Sequence, residues 1–164
     1  MEECIFCGIV NKKIPAFIVY EDNFSIGILD IKPRTKGMCL IIPKKHFEEI
    51  GENIDYVINS FKAALILSEK IKKALNPKFI SFSILPSEIK HFHIRIYPIF
   101  DQIPLLEGNP IPINENELKE IAEKIRGAKI VERREEREEK KEEKEEKKRS
   151  KEEIEWIRRY WERA

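Results

Sequence analysis

The sequence contains no apolar run long enough to cross a bilayer. Stretches such as Ala63-Ala64-Leu65-Ile66-Leu67 fall far short of the roughly 20 residues that a spanning helix needs. The opening Met1-Glu2-Glu3-Cys4 lacks the basic-then-apolar pattern of an export signal. No charge sign dominates: 31 Lys and Arg stand against 30 Asp and Glu. Neutrality gives no general attraction to nucleic acid or to anionic membranes. Three cysteines are too few for a disulfide framework, and two of them stand as Cys4-x-x-Cys7. Membrane, secreted and collagen-like classes are set aside, and a cytoplasmic location is expected.

What is abundant is charge, at 37% of residues, and it is unevenly placed. From Glu132 to Glu153 every residue but Ser150 is charged. Glu136–Lys140, Glu143–Lys147 and Glu145–Arg149 are Glu-first pairs four residues apart, each worth roughly 0.2–0.5 kcal/mol in a helix. The expected organisation is therefore a domain over 1–130, a charged helical spacer over 131–153 and an amphipathic segment over 154–164. Ile154, Ile157 and Trp161 share one helical face of that last segment, with Trp156 and Tyr160 on its flank. Such a face calls for a surface to cover: this domain, a sister subunit or another protein.

Before residue 131, strand-like runs cover Ala16–Tyr20, Ser25–Leu29, Met38–Ile42, Phe79–Leu85 and His91–Ile99. Turns are expected at Asn23 and over Pro33–Gly37. A long helix is expected over Ile54–Leu75, with Val57, Ile58, Phe61, Ala64, Leu65, Ile71 and Leu75 on or near one face. A second helix is expected over Glu117–Arg126. Strands in two groups with a long helix between them read as α+β.

Chemistry concentrates in few residues. The only histidines are His46, His91 and His93. In a strand, alternation places His91, His93, Arg95 and Tyr97 on one face and Phe92, Ile94 and Ile96 on the other, toward the core. Two imidazoles and a guanidinium on one face suit phosphate recognition, nucleophilic attack or metal binding. An exposed strand face accounts for such a pair equally well. Cys4 and Cys7 have the spacing of a zinc knuckle, which needs two more ligands. His46 and one of the strand histidines are the imidazoles available. A reduced pair without metal is the plain alternative.

Taken in order, Cys4-Ile-Phe-Cys7-Gly-Ile-Val, Val19-Tyr-Glu-Asp22, Leu29-Asp-Ile-Lys-Pro33, Gly37, Ile41-Ile-Pro-Lys-Lys-His46 and His91-Phe-His93-Ile-Arg95-Ile-Tyr97 resemble the histidine triad (HIT) family over roughly residues 1–126. The family signature is His-φ-His-φ-His-φ-φ, with φ apolar, and Arg95 stands at its third histidine. The resemblance implies an α+β fold with an antiparallel sheet, a long helix and a two-fold dimer. It implies a nucleotide or nucleotidyl conjugate as partner, and hydrolysis or transfer of a nucleotidyl group. The middle histidine, His93, would attack the α-phosphate. Arg95 would hold phosphate, Asp30 the ribose, Ile18 and Ile28 the base, and Ser87 would fall at a phosphate-loop position. A structural Zn²⁺ would sit on Cys4, Cys7, His46 and His91. The family's Gly- and Gln-containing phosphate loop is missing, which keeps a non-catalytic, zinc-stabilised nucleotide-binding or protein-interaction module as the alternative. A deadenylase acting on nucleic acid is disfavoured by the near-neutral body.

Overall fold

The computed structural model describes residues 4–85, 88–101 and 109–130, together with Glu155, Trp156, Arg158 and Glu162. The chain falls into two units, Met1–Ile130 and Val131–Ala164. In the second, Glu155, Trp156 and Arg158 are helical, and the Glu162 N–H donates to the Arg158 carbonyl at 3.1 Å. The charged spacer expected over 131–153, and most of the amphipathic end, lie outside the described residues. No helix among the described residues is long and apolar enough to cross a membrane.

The first unit is α+β. A short helix α1 (Ile5–Val10) is followed by strands β1 (Ile18–Glu21), β2 (Ser25–Leu29) and β3 (Cys39–Pro43). The long helix α2 (Ile54–Leu75) leads to β4 (Phe79–Ser83) and β5 (Ile94–Ile99), and α3 (Glu115–Gly127) closes the unit. The five strands form one antiparallel sheet in the order β1-β2-β3-β5-β4. Turn chemistry fixes the joints. The Asp22 carboxylate accepts from the Phe24 and Ser25 amides, both at 2.7 Å, and so folds the β1–β2 hairpin. Gly37 takes a positive φ of 76° just before β3, a conformation that favours glycine.

Strands β2 and β3 are buried on both faces, which is why they read as unbroken apolar runs. One face meets α2 and α3 through Cys39, Ile41, Ile94 and Ile96 of the sheet with Leu67, Ile71, Ile121 and Ile125 of the helices. The other carries a second cluster of Ile26, Ile28, Leu40, Ile42 and Tyr97, covered by Phe6 and Ile9 of α1. An Asn114–Glu117 capping box starts α3, satisfying backbone donors that the first helical turn leaves open.

Two sequence expectations need correction. Helix α2 buries Val57, Ser60, Ala63, Ala64, Leu67, Ser68 and Ile71, whereas Ile58, Phe61 and Leu65 are exposed. The helix carries two apolar stripes, and the sheet takes the one rich in small residues. Ile54, Ile58, Phe61 and Leu65, at i, i+4, i+7 and i+11, form an outward stripe. The expected strand over His91–Ile99 starts only at Ile94. The alternation of faces still holds through the histidines, but the Tyr97 side faces a second core, and Tyr97 itself is 1% exposed.

Candidate functional site

The antiparallel pairing of β3 with β5 sets Cys39 opposite Ile96 and Ile41 opposite Ile94. The end of β3 therefore lies beside the start of β5. His46, three residues beyond β3, and His91, three before β5, arrive at the same end of the sheet. The Phe92 amide donates to the Phe47 carbonyl at 2.7 Å, and the Phe47 and Phe92 rings stack at 5.2 Å. This packing pins both histidine-bearing segments to each other.

Helix α1 lies over that end. Cys4 is its N-cap and Cys7 sits in its first turn. The sulfurs and the two imidazoles converge: Cys4 Sγ to His91 Nδ1 is 3.4 Å, Cys7 Sγ to His46 Nδ1 3.3 Å, and Cys7 Sγ to His91 Nδ1 3.6 Å. His46 Nδ1 and His91 Nδ1 are 3.2 Å apart. A tetrahedral zinc with Zn–S near 2.3 Å and Zn–N near 2.1 Å has ligand–ligand edges of about 3.4–3.8 Å. The observed separations approach these edges, and all four donor atoms lie within 4.8 Å of one another. The tautomer also fits. His91 Nε2 faces the Pro43 carbonyl at 3.0 Å, and a carbonyl only accepts, so Nε2 carries the hydrogen and Nδ1 keeps its lone pair. Burial pushes the His91 imidazole down to about 4, helped by neighbouring His46 and His93 and opposed by the Pro43 hydrogen bond. The Cys7 thiol is raised, by burial first and then by the neighbouring Cys4. Two thiols and two imidazoles fit a four-coordinate metal ion and leave no position open for substrate. The third cysteine, Cys39, is buried in the sheet and takes no part in this cluster.

His93 sits next to this cluster and is 5% exposed. Its Nδ1 donates to the His91 carbonyl at 2.8 Å, and Arg95 Nε donates to its Nε2 at 3.3 Å. Both bonds demand the same tautomer, because the carbonyl can only accept and the guanidinium can only donate. Nε2 thus holds a lone pair that points at a cation. Burial, with a smaller push from Arg95, holds His93 below its ordinary range, against its hydrogen bond to the His91 carbonyl and the nearby Asp30 charge. Phe6 of α1 meets the His93 ring edge-on at 5.1 Å and the His91 ring at 5.9 Å.

The remaining sequence-selected residues are distributed around this centre. Asp30, half-buried just after β2, accepts from the Lys32 amide at 2.8 Å. Ile18 and Ile28 are cross-strand partners. Ile28 is buried within the second cluster, and the half-buried Ile18 packs against it. Ser87 lies outside the described residues. Sequence reasoning missed α1 and the role of Phe6. The apolar spacing of Phe6, Ile9 and Val10 was present, but six residues are too few for periodicity to stand out.

Comparison with known proteins follows the same lines. The model of the HIT domain family matches residues 11–102. An uncharacterized HIT-like protein of Methanocaldococcus jannaschii is 33% identical over 134 residues, covering 76% of this chain and 99% of its own. An adenosine 5′-monophosphoramidase of Schizosaccharomyces pombe is 34% identical over 131 residues, covering 74% of this chain and 95% of its own. Among solved structures, a zinc-bound histidine triad family protein of Mycobacterium smegmatis superposes with a TM-score of 0.59 at 25% identity, covering 75% of this chain and 93% of that one.

Proposed function

The chain belongs to the HIT domain family, and from that premise we propose that it is a cytoplasmic nucleotide hydrolase or nucleotidyltransferase with His93 as its nucleophile. One observation carries the reading. The His93 ring is locked with its hydrogen on Nδ1, so Nε2 is available as a neutral nucleophile beside a phosphate-seeking guanidinium. The Nε2 lone pair attacks the α-phosphorus, and a nucleotidyl-histidine forms as the leaving group departs. Water then displaces the neutral imidazole. This splits one difficult displacement into two easier ones. Arg95 exchanges His93 for the phosphate oxygens and offsets their charge. Asp30 holds the ribose, Ile18 and Ile28 flank the base, and Ser87 contributes to the phosphate loop. The names of relatives such as the fission-yeast monophosphoramidase support this class of reaction.

Cys4, Cys7, His46 and His91 would hold one structural zinc, which when bound ties α1 to the sheet. The outward stripe Ile54, Ile58, Phe61 and Leu65 of α2, and the exposed Phe79 and Phe82 of edge strand β4, support a homodimer that covers them. In this reading residues 1–130 form the catalytic domain, 131–153 a spacer and 154–164 a docking segment.

The test is release of AMP or GMP from nucleoside phosphoramidates and dinucleoside polyphosphates by wild type and His93→Ala. The expected result is turnover by wild type and its loss in the variant, with fold and zinc retained. Absence of turnover in both, with fold and zinc intact, would replace the enzyme with a nucleotide-binding module.

A further inference from the structure

We infer that Arg95 biases this enzyme toward nucleotidyl conjugates whose leaving group departs as a stable oxyanion, such as sulfate, phosphate or polyphosphate, and disfavours amine leaving groups. The inference rests on the nucleotidyl-transfer reading above and narrows its substrate class.

Among the described residues the His93 ring bonds only to the His91 carbonyl, at 2.8 Å, and to Arg95 Nε, at 3.3 Å. The Nδ1 hydrogen is engaged by that carbonyl, on the side of the ring away from the attacking nitrogen. Among the described residues the one group bonded to Nε2 is therefore a guanidinium, which presents five N–H donors and does not give up a proton near neutral pH. Arg95 is only half-buried, so it has room to follow the phosphate. Glu88, the nearest acid preceding the histidines in sequence, is solvent-exposed. The His93–Arg95 pair thus combines a nucleophile with a fixed charge, and among the described residues no acid bonds to Nε2: the nearby Asp30 carboxylate accepts from the Lys32 amide instead.

The bookkeeping of bonds then separates two kinds of substrate. In the first step the Nε2–P bond forms and the bond from phosphorus to the leaving atom breaks, its electron pair leaving with that atom. A phosphate–sulfate or polyphosphate linkage releases an oxyanion that needs no proton, and the Arg95 charge stabilises it as it develops. A phosphoramidate releases nitrogen. Without a donor that nitrogen must depart as an amide anion, a far worse leaving group than any oxyanion, so a proton has to arrive during bond cleavage. In the second step water adds to phosphorus, its proton goes to solvent, and the ring leaves as neutral imidazole, so no acid is needed there. The missing acid therefore bears on the first step alone, and only on leaving groups that require protonation.

General acid catalysis is typically worth about 10²–10⁴-fold, which sets the size of the expected discrimination. The experiment compares kcat/KM of wild type and Arg95→His on adenosine 5′-phosphosulfate, diadenosine tetraphosphate and adenosine 5′-phosphoramidate. The expected wild-type preference for the two anhydrides over the phosphoramidate is about 10²-fold or more, and Arg95→His should shift that ratio toward the phosphoramidate by at least about tenfold. A second measurement needs no variant. Across a series of AMP aryl esters, wild-type kcat/KM should fall steeply as the phenol becomes less acidic, because no proton assists its departure. A flat aryl series, or a phosphoramidate cleaved as fast as the anhydrides, would overturn the inference while leaving the nucleotidyl enzyme standing. Failure to turn over any of these substrates, or equal release by His93→Ala, would overturn both together.

Discussion

Acid should unfold the metal-stripped protein through His91. This ring is 2% exposed and is held down to about 4 by burial, against an ordinary value of 6.5. In the unfolded chain it charges near 6.5 and in the folded chain only near 4, so between these values the unfolded state binds the extra proton. Stability is then fully present above pH 6.5, begins to fall below it, and continues to be lost as pH drops to about 4. Linkage with these two values gives a loss of about 2 kcal/mol at pH 5 and about 3 kcal/mol at pH 4. That is a substantial part of a typical domain's stability. The assay is urea unfolding followed by circular dichroism, on protein treated with chelator in reducing buffer, at pH 7 and pH 5. His91→Gln serves as the control, because its amide keeps a donor for the Pro43 carbonyl but does not titrate. Wild type should lose about 2 kcal/mol more than the variant between the two pH values. Parallel losses in the two proteins would refute the assignment of the acid-sensitive group. Zinc should protect wild type in the same window, since the proton and the metal compete for Nδ1.

Metal analysis should find one zinc per chain in wild type, sharply less in Cys7→Ser, and an unchanged amount in Cys39→Ser, whose sulfur faces the Gly37 carbonyl. Leu67→Ala removes a side chain with 0% exposure from between α2 and the sheet and should cost about 2–5 kcal/mol by denaturant titration. Gly37→Ala forces a side chain into a positive φ of 76° and against Leu75 Cδ1; it should lower stability by more than about 1 kcal/mol, seen as a reduced melting temperature.

The spans of β2 and α2 could be read directly, because the turn at Asn23 precedes the one and Pro77 follows the other. Which face of α2 goes inward could not. Both stripes are apolar, and the choice belongs to the sheet, whose Gly27 approaches Leu67 so closely that a Cβ there would lie 3.1 Å from Leu67 Cδ2. The site was legible in part for a related reason. Alternation placed His91, His93 and Arg95 on one side of the chain, and it does so whether or not the backbone there forms a ladder. Alternation says nothing about what covers that side. The cover is α1, a six-residue element whose order comes from contacts with residues some 40 to 90 positions away, and no local pattern reports such contacts.

The brevity of α1 has a consequence of its own. A helix of six residues cannot sustain itself in water, where nucleation costs more than so few hydrogen bonds return. Its order is borrowed from side chains at 46 and 91 and from the second cluster beneath Phe6 and Ile9. The first turn of the chain therefore serves as a gauge of metal occupancy: amide exchange at Gly8 and Asn11, whose N–H groups close this helix onto Cys4 and Cys7, should slow when the cluster is loaded and quicken when it is emptied. The ring of His93 shares Phe6 with that helix, so loss of the clasp also admits water to the imidazole that Arg95 faces.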